Sequence, residues 1–237
     1  MIKAELHGKV TPYEGAEDVL TSNVFGLFAY LPAAYGLIPF LKKAVNLSGE
    51  APDFLDDQGE AKYHFWPKTT GFRREPDLVV QFGAEIAINI ECKYHSGKHN
   101  RFVEEQEEEV SNGDQLAEQY YDLLKGNLPF PVGSERYLFY VTKHFVLPTA
   151  ELAESEALLA KLGCTGMADR MYWLSWRSLT ETIRETLDQY EADLRHGERL
   201  ALKDLQQLMT RKQLTAFGGF QVQPVPTRMR YFWRGNE

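Results

Sequence analysis

Residues 86–93, Ile-Ala-Ile-Asn-Ile-Glu-Cys-Lys, alternate between large apolar side chains and small or charged ones. A period of two belongs to an extended strand. Ile86, Ile88 and Ile90 must therefore share one face, and Ala87, Asn89, Glu91 and Lys93 the other. Ahead of them, Asp77-Leu-Val-Val-Gln-Phe82 is a second run of strand formers, and Gly83 marks a turn. The predicted hairpin covers about 77–82 and 85–94. Its parity decides what it can present. Asp77 lies across from Glu91 on one face only if an odd number of loop residues stays unpaired. Gly83-Ala84-Glu85 satisfies this, whereas a two-residue turn needs a bulge. The hairpin then gathers two carboxylates and an ammonium at one end of a sheet. Such a set can hold a hard divalent cation through oxygen and act on a water and a phosphate.

The flanking segments predict a mixed sheet covered by helices. Residues 15–31 carry Leu20, Val24, Leu27 and Leu31 at helical spacing and end at Pro32. Residues 34–46 read as a short helix or an irregular hydrophobic cap, 48–60 as a loop, and 61–66 as a strand leading into the hairpin. A charged loop (95–113), a helix (about 113–125) and a buried strand (136–142) follow. Next come a helix near 149–162 and a strand at 170–176. From 178 to 214 the pattern is helical, with a break expected at Gly197. The order predicts an α/β fold, with residues 1–177 as the core and 178–237 as a helical extension and tail packed on the same domain.

Composition narrows the class. At 237 residues with 43 % apolar side chains, the chain can bury a substantial core. A formal charge of −8 argues against a protein that coats nucleic acid, but five of the six residues 104–109 are glutamate, so much of the acid is local. That run reads as a solvated segment, with mimicry of DNA charge as the functional alternative. Cys92 and Cys164 form no CxxC, the start is not a signal peptide, and no apolar run approaches membrane-spanning length. These features predict a cytoplasmic protein without a membrane partner. Cys92, His95 and His99 suggest zinc only weakly, because Cys92 faces away from Glu91 and no fourth ligand is apparent. Met171, Tyr172, Trp173 and Trp176 read as core and sheet edge, and Tyr231-Phe232-Trp233 as a segment that docks on its own domain or on a partner.

Pro76-Asp77, thirteen intervening residues and Glu91-Cys92-Lys93 together resemble the signature of the PD-(D/E)XK nuclease superfamily. Two further features strengthen the likeness. Members often place a glutamate on the first helix, where Glu17 lies beside the buried stripe and Glu14 competes with it. Many carry a glutamine on the helix after the Glu-x-Lys strand, where Gln115, Gln119 and Asp122 share a face and Gln115 sits at the N-terminal end. The resemblance covers about residues 14–177 and implies a restriction-endonuclease-like core.

It also implies roles. Asp77, Glu91 and the backbone carbonyl of Cys92 would bind Mg²⁺, or Mn²⁺ in its place, helped by Glu17 through water. Lys93 would orient or deprotonate the attacking water and stabilise charge on phosphate, and Gln115 would position substrate or water. Arg73, Arg74, His95, Lys98, His99 and Arg101 are the candidate nucleic-acid contacts. The implied activity is hydrolysis of DNA phosphodiesters by an endonuclease effector, in anti-phage defence or restriction, with a homodimer or larger assembly as setting and no small-molecule cofactor. The alternatives are an RNA-directed nuclease and a non-catalytic nucleic-acid-binding or assembly subunit that keeps the fold.

Overall fold

A computed structural model describes residues 2–7, 17–94 and 113–216. The predicted hairpin is its centre. Strands β1 (Val45–Asn46), β2 (Ala61–Phe65), β3 (Leu78–Phe82), β4 (Ile86–Cys92), β5 (Glu135–Thr142) and β6 (Met171–Ser175) form one open sheet in the order β1-β6-β5-β4-β3-β2. The pairs β2–β3, β3–β4 and β1–β6 are antiparallel, and β4–β5 and β5–β6 are parallel. The sheet is mixed, as expected.

Parity follows the odd-loop solution. Phe82 pairs with Ile86 and Leu78 with Ile90, which leaves Gly83-Ala84-Glu85 as the loop. Gly83 has φ +56°, a left-handed conformation that a side chain would strain.

Helices cover both faces. On the Ile88 and Ile90 side lie α2 (Glu17–Phe28), α3 (Leu37–Leu41), α6 (Ser178–Gln189) and α7 (His196–Arg211), preceded in the chain by the short α1 (Ile2–Leu6). This layer packs Phe25, Phe28, Phe40 and Trp176 around fully buried strand residues, and Ile183, Leu205 and Met209 of the last two helices belong to the same core. The C-terminal helices therefore share the sheet's core. On the other face, α4 (Gln115–Lys125) and α5 (Thr149–Lys161) bury Leu116, Tyr120, Leu152 and Leu159 against Val79, Ala87 and Leu138. Both parallel connections, β4 to β5 and β5 to β6, pass through this layer. With both faces covered, every residue of β4 is buried, polar ones included.

Two expectations need correction. The helical break falls at 190–195, not at Gly197, which lies in the first turn of α7. There Glu198 reaches back to the amide of Arg195 at 2.7 Å and closes the helix start. Helix α2 ends at Phe28, short of the end of the 15–31 pattern. Among the described residues, no helix is long and apolar enough to cross a membrane.

Candidate active site

Four side chains meet at the end of β4 where the strand leaves the sheet. Pro76 cannot donate to the sheet's hydrogen-bond ladder, and Asp77 follows it as the residue immediately before β3. The register carries Asp77 beside Glu91, and its Oδ2 accepts the Cys92 amide at 2.8 Å. Glu91 and Lys93 project on one side, and Lys93 Nζ donates to Glu91 Oε1 at 2.6 Å. Glu17 arrives from the opposite layer at the first turn of α2, a position that favours an acid through the helix dipole. It accepts Lys93 Nζ at 2.9 Å through Oε1 and the Tyr94 amide at 2.9 Å through Oε2. Carboxylate oxygens of Glu17, Asp77 and Glu91 lie within 4.8 Å of one another.

Helix α4 closes the other side. Asp114 caps it by accepting the Ala117 amide at 2.9 Å, so Gln115 is its first residue, and Gln115 Nε2 donates to Glu91 Oε1 at 2.7 Å. Gln119, one turn on, lies near enough to favour the ionised form of Glu91. Neither atom of its amide, however, makes a well-formed hydrogen bond.

Burial and charge oppose each other here. Asp77, Glu91 and Lys93 are 7 %, 1 % and 4 % exposed. Burial and the charge of Glu91 raise Asp77 well above the carboxylate range, against the Cys92 amide and Lys93. Burial likewise raises Glu91, against the charge and hydrogen bond of Lys93. Desolvation works against the Lys93 ammonium, but Glu91 and Glu17 outweigh it and hold the group above its ordinary range. Lys93 stays charged. Among the described residues, fully ionised, three carboxylates face one ammonium.

That excess suits a divalent cation. An octahedral ion with oxygens at about 2.1 Å needs ligand oxygens roughly 3–4 Å apart, and these three carboxylates already offer oxygens within 4.8 Å of one another. Glu91 Oε2 and Gln115 Oε1 are buried with no hydrogen-bond partner, so both oxygens are available as ligands to a cation. The residues present fit the group.

Other expected site residues are placed differently. Arg73 is exposed with φ +53°. Arg74, expected to contact phosphate, turns inward instead and pairs through Nε with the fully buried Glu118. Asp122 accepts the Phe72 amide at 2.9 Å and Asn127 Nδ2 at 2.8 Å, a structural tie between loops. The Cys92 thiol points into the apolar layer beside Ile90, and burial pushes it well up. Glu14, His95, Lys98, His99, Arg101 and the 104–109 glutamates lie outside the described residues. Sequence reasoning assigned no role to Asn89, which shares the Glu91 face, is fully buried, and has both amide atoms unpartnered. Its signal was present: a lone amide among isoleucines on an inner strand. Compared with family models, curated proteins and solved structures, the chain finds no match.

Proposed function

We propose that the chain is a PD-(D/E)XK-type nuclease with a restriction-endonuclease-like core, hydrolysing DNA phosphodiesters with Mg²⁺. One observation carries the reading. Residues 17, 77, 91, 93 and 115, taken from two helices and a hairpin, converge on one point, and among the described residues three carboxylates meet there. An ordinary solvated ion pair needs neither Glu17 nor Gln115.

In this reading Asp77, Glu91 and the Cys92 carbonyl would hold the ion, with Glu17 assisting through water. When bound, the ion supplies Lewis acidity toward a phosphate oxygen and a more acidic water. The chain's own groups do the rest. Lys93, held charged by Glu17 and Glu91, places a cation where negative charge grows on phosphate and orients the attacking water. Its raised pKa favours that role over proton abstraction. Gln115 fixes the Glu91 carboxylate through its Nε2. An effector role in defence or restriction, in a cytoplasmic homodimer or larger assembly, fits a small nuclease domain by analogy.

Depth favours a second reading. Three of the groups are nearly buried, as in a structural ion cluster within a non-catalytic nucleic-acid-binding subunit. Cleavage of supercoiled plasmid with Mg²⁺ or Mn²⁺ separates the two. The nuclease reading expects nicking that Asp77→Ala and Lys93→Ala abolish, and activity surviving both changes refutes it.

A further inference from the structure

We propose that the turn after β5, centred on Phe145, is a stacking platform for an unpaired nucleotide of the bound strand; this deepens the nucleic-acid reading above. Strands β4 and β5 run parallel, and the Lys93 amide donates to Val141 O at 2.7 Å, so β5 ends beside the carboxylates. Phe145 lies three residues past Thr142 on that side. One strand spacing of ~4.8 Å and ~3.3 Å per residue put it within roughly 15 Å of Lys93. That is about four base steps at ~3.4 Å each.

The ring is held outward. Phe145 is 67 % exposed and Val146 74 %, while the Arg177 guanidinium lies 3.8 Å from the Phe145 ring centroid. Arg177 is itself anchored, donating from Nε to Lys143 O at 3.0 Å and from Nη1 to Gln213 O at 2.9 Å. The turn is pinned on its other side as well. His144 O accepts Ser175 Oγ at 2.7 Å, and the His144 amide donates to Thr142 Oγ1 at 3.2 Å. An apolar ring fixed in water by polar ties is a preorganised surface, whose ordering cost is met before binding.

Its chemistry selects the ligand. The side-chain hydrogen bonds of Arg177 go to backbone carbonyls, and among the described residues no carboxylate pairs with it. With Lys143 beside it, a cation-backed aromatic face suits a base with phosphates on either side. An apolar protein partner would want a wider patch than two residues bounded by Lys143, His144 and Arg177. The stacked base must come from a single strand, a frayed end or an extruded nucleotide, because paired bases inside a duplex offer no free face.

The test uses full-length protein, fluorescein-labelled single strands of DNA and RNA of about 15 nucleotides, and a blunt duplex. Anisotropy in Ca²⁺ reads affinity, and cleavage in Mg²⁺ reads kcat and KM. Phe145→Ala should weaken single-strand binding roughly 5- to 100-fold, the usual range for one lost stack. It should raise KM in step and leave kcat and duplex binding unchanged, and Phe145→Trp should restore affinity. Equal affinity and KM in Phe145→Ala overturn the platform and leave the nuclease reading intact. Phe145-dependent binding without any cleavage supports the platform and overturns the nuclease reading. Failure of the wild-type protein to bind any strand overturns both.

Discussion

Near Asn23, helix α2 touches a carboxylate that is paired with an ammonium: Glu5 accepts Asn23 Nδ2 at 2.6 Å and lies 2.9 Å from Lys212 Nζ. At its first turn the same helix touches a different arrangement, in which, among the described residues, Glu17, Asp77 and Glu91 face the charge of Lys93. Both places are shielded from water, with the side chains of Glu5 and Lys212 only 5 % and 4 % exposed. Glu118 on α4 follows the first pattern, using one oxygen for Arg74 and the other for the Gly113 amide. A buried charge that serves architecture is matched by an opposite one, because an uncompensated charge in a poorly polarisable interior is costly. Among the described residues the Glu17 cluster departs from this rule, setting three carboxylates against one ammonium. The contrast teaches where to look: the site is the cluster that needs something more.

The largest effect expected from this contrast is on catalysis. Asp77→Ala and Lys93→Ala should each lower the cleavage rate by about 10³-fold or more, equivalent to roughly 4 kcal/mol of barrier, with little change in far-UV circular dichroism. The matched pair should behave in the opposite way. Lys212→Met leaves Glu5 buried alone, a loss of about 3–5 kcal/mol. Thermal melting should register it as a fall on the order of 10 °C, with specific activity retained below the transition. Lys212→Met that leaves the melting temperature unchanged would erase the distinction.

A smaller effect concerns metal and pH. At about 100 times its Kd, Mg²⁺ should stabilise by roughly 2.7 kcal/mol, a rise of about 5–10 °C that Asp77→Asn removes. The pH dependence has a definite sign. The folded-state pKa of Asp77 lies above its unfolded value, so without metal its contribution is fully present below the unfolded value and is lost as pH rises through the folded one. The metal-free protein therefore weakens as Asp77 ionises. The Mg²⁺-induced shift grows over that same window, because proton and cation compete for one carboxylate. A Mg²⁺ shift that is flat with pH would break the account.

Much of the site was legible because strand alternation is strict. Once 86–93 is a strand, Glu91 and Lys93 share a face, and a three-residue loop brings Asp77 opposite. Glu17 and Gln115 could be read from helix phase together with the family likeness. Arg74 could not, since its partner Glu118 lies far along the chain and only the fold brings the two together. The two-residue β1 is too short to carry a period. Gly197 misled because a glycine is tolerated in a first helical turn, while the break at 190–195 contains neither glycine nor proline. The unpartnered amides of Asn89 and Gln119 depend on packing between β4 and α4, which periodicity places in the interior but cannot pair.

The most direct measurement is anomalous scattering from crystals soaked in Mn²⁺. A peak about 2.0–2.4 Å from both the Asp77 and Glu91 carboxylates, with Lys93 Nζ drawn away from Glu91, is the predicted result. Millimolar Mn²⁺ that leaves the three carboxylates bridged only by Lys93, with no peak among them, would contradict the metal site and make the cluster an internal ion network.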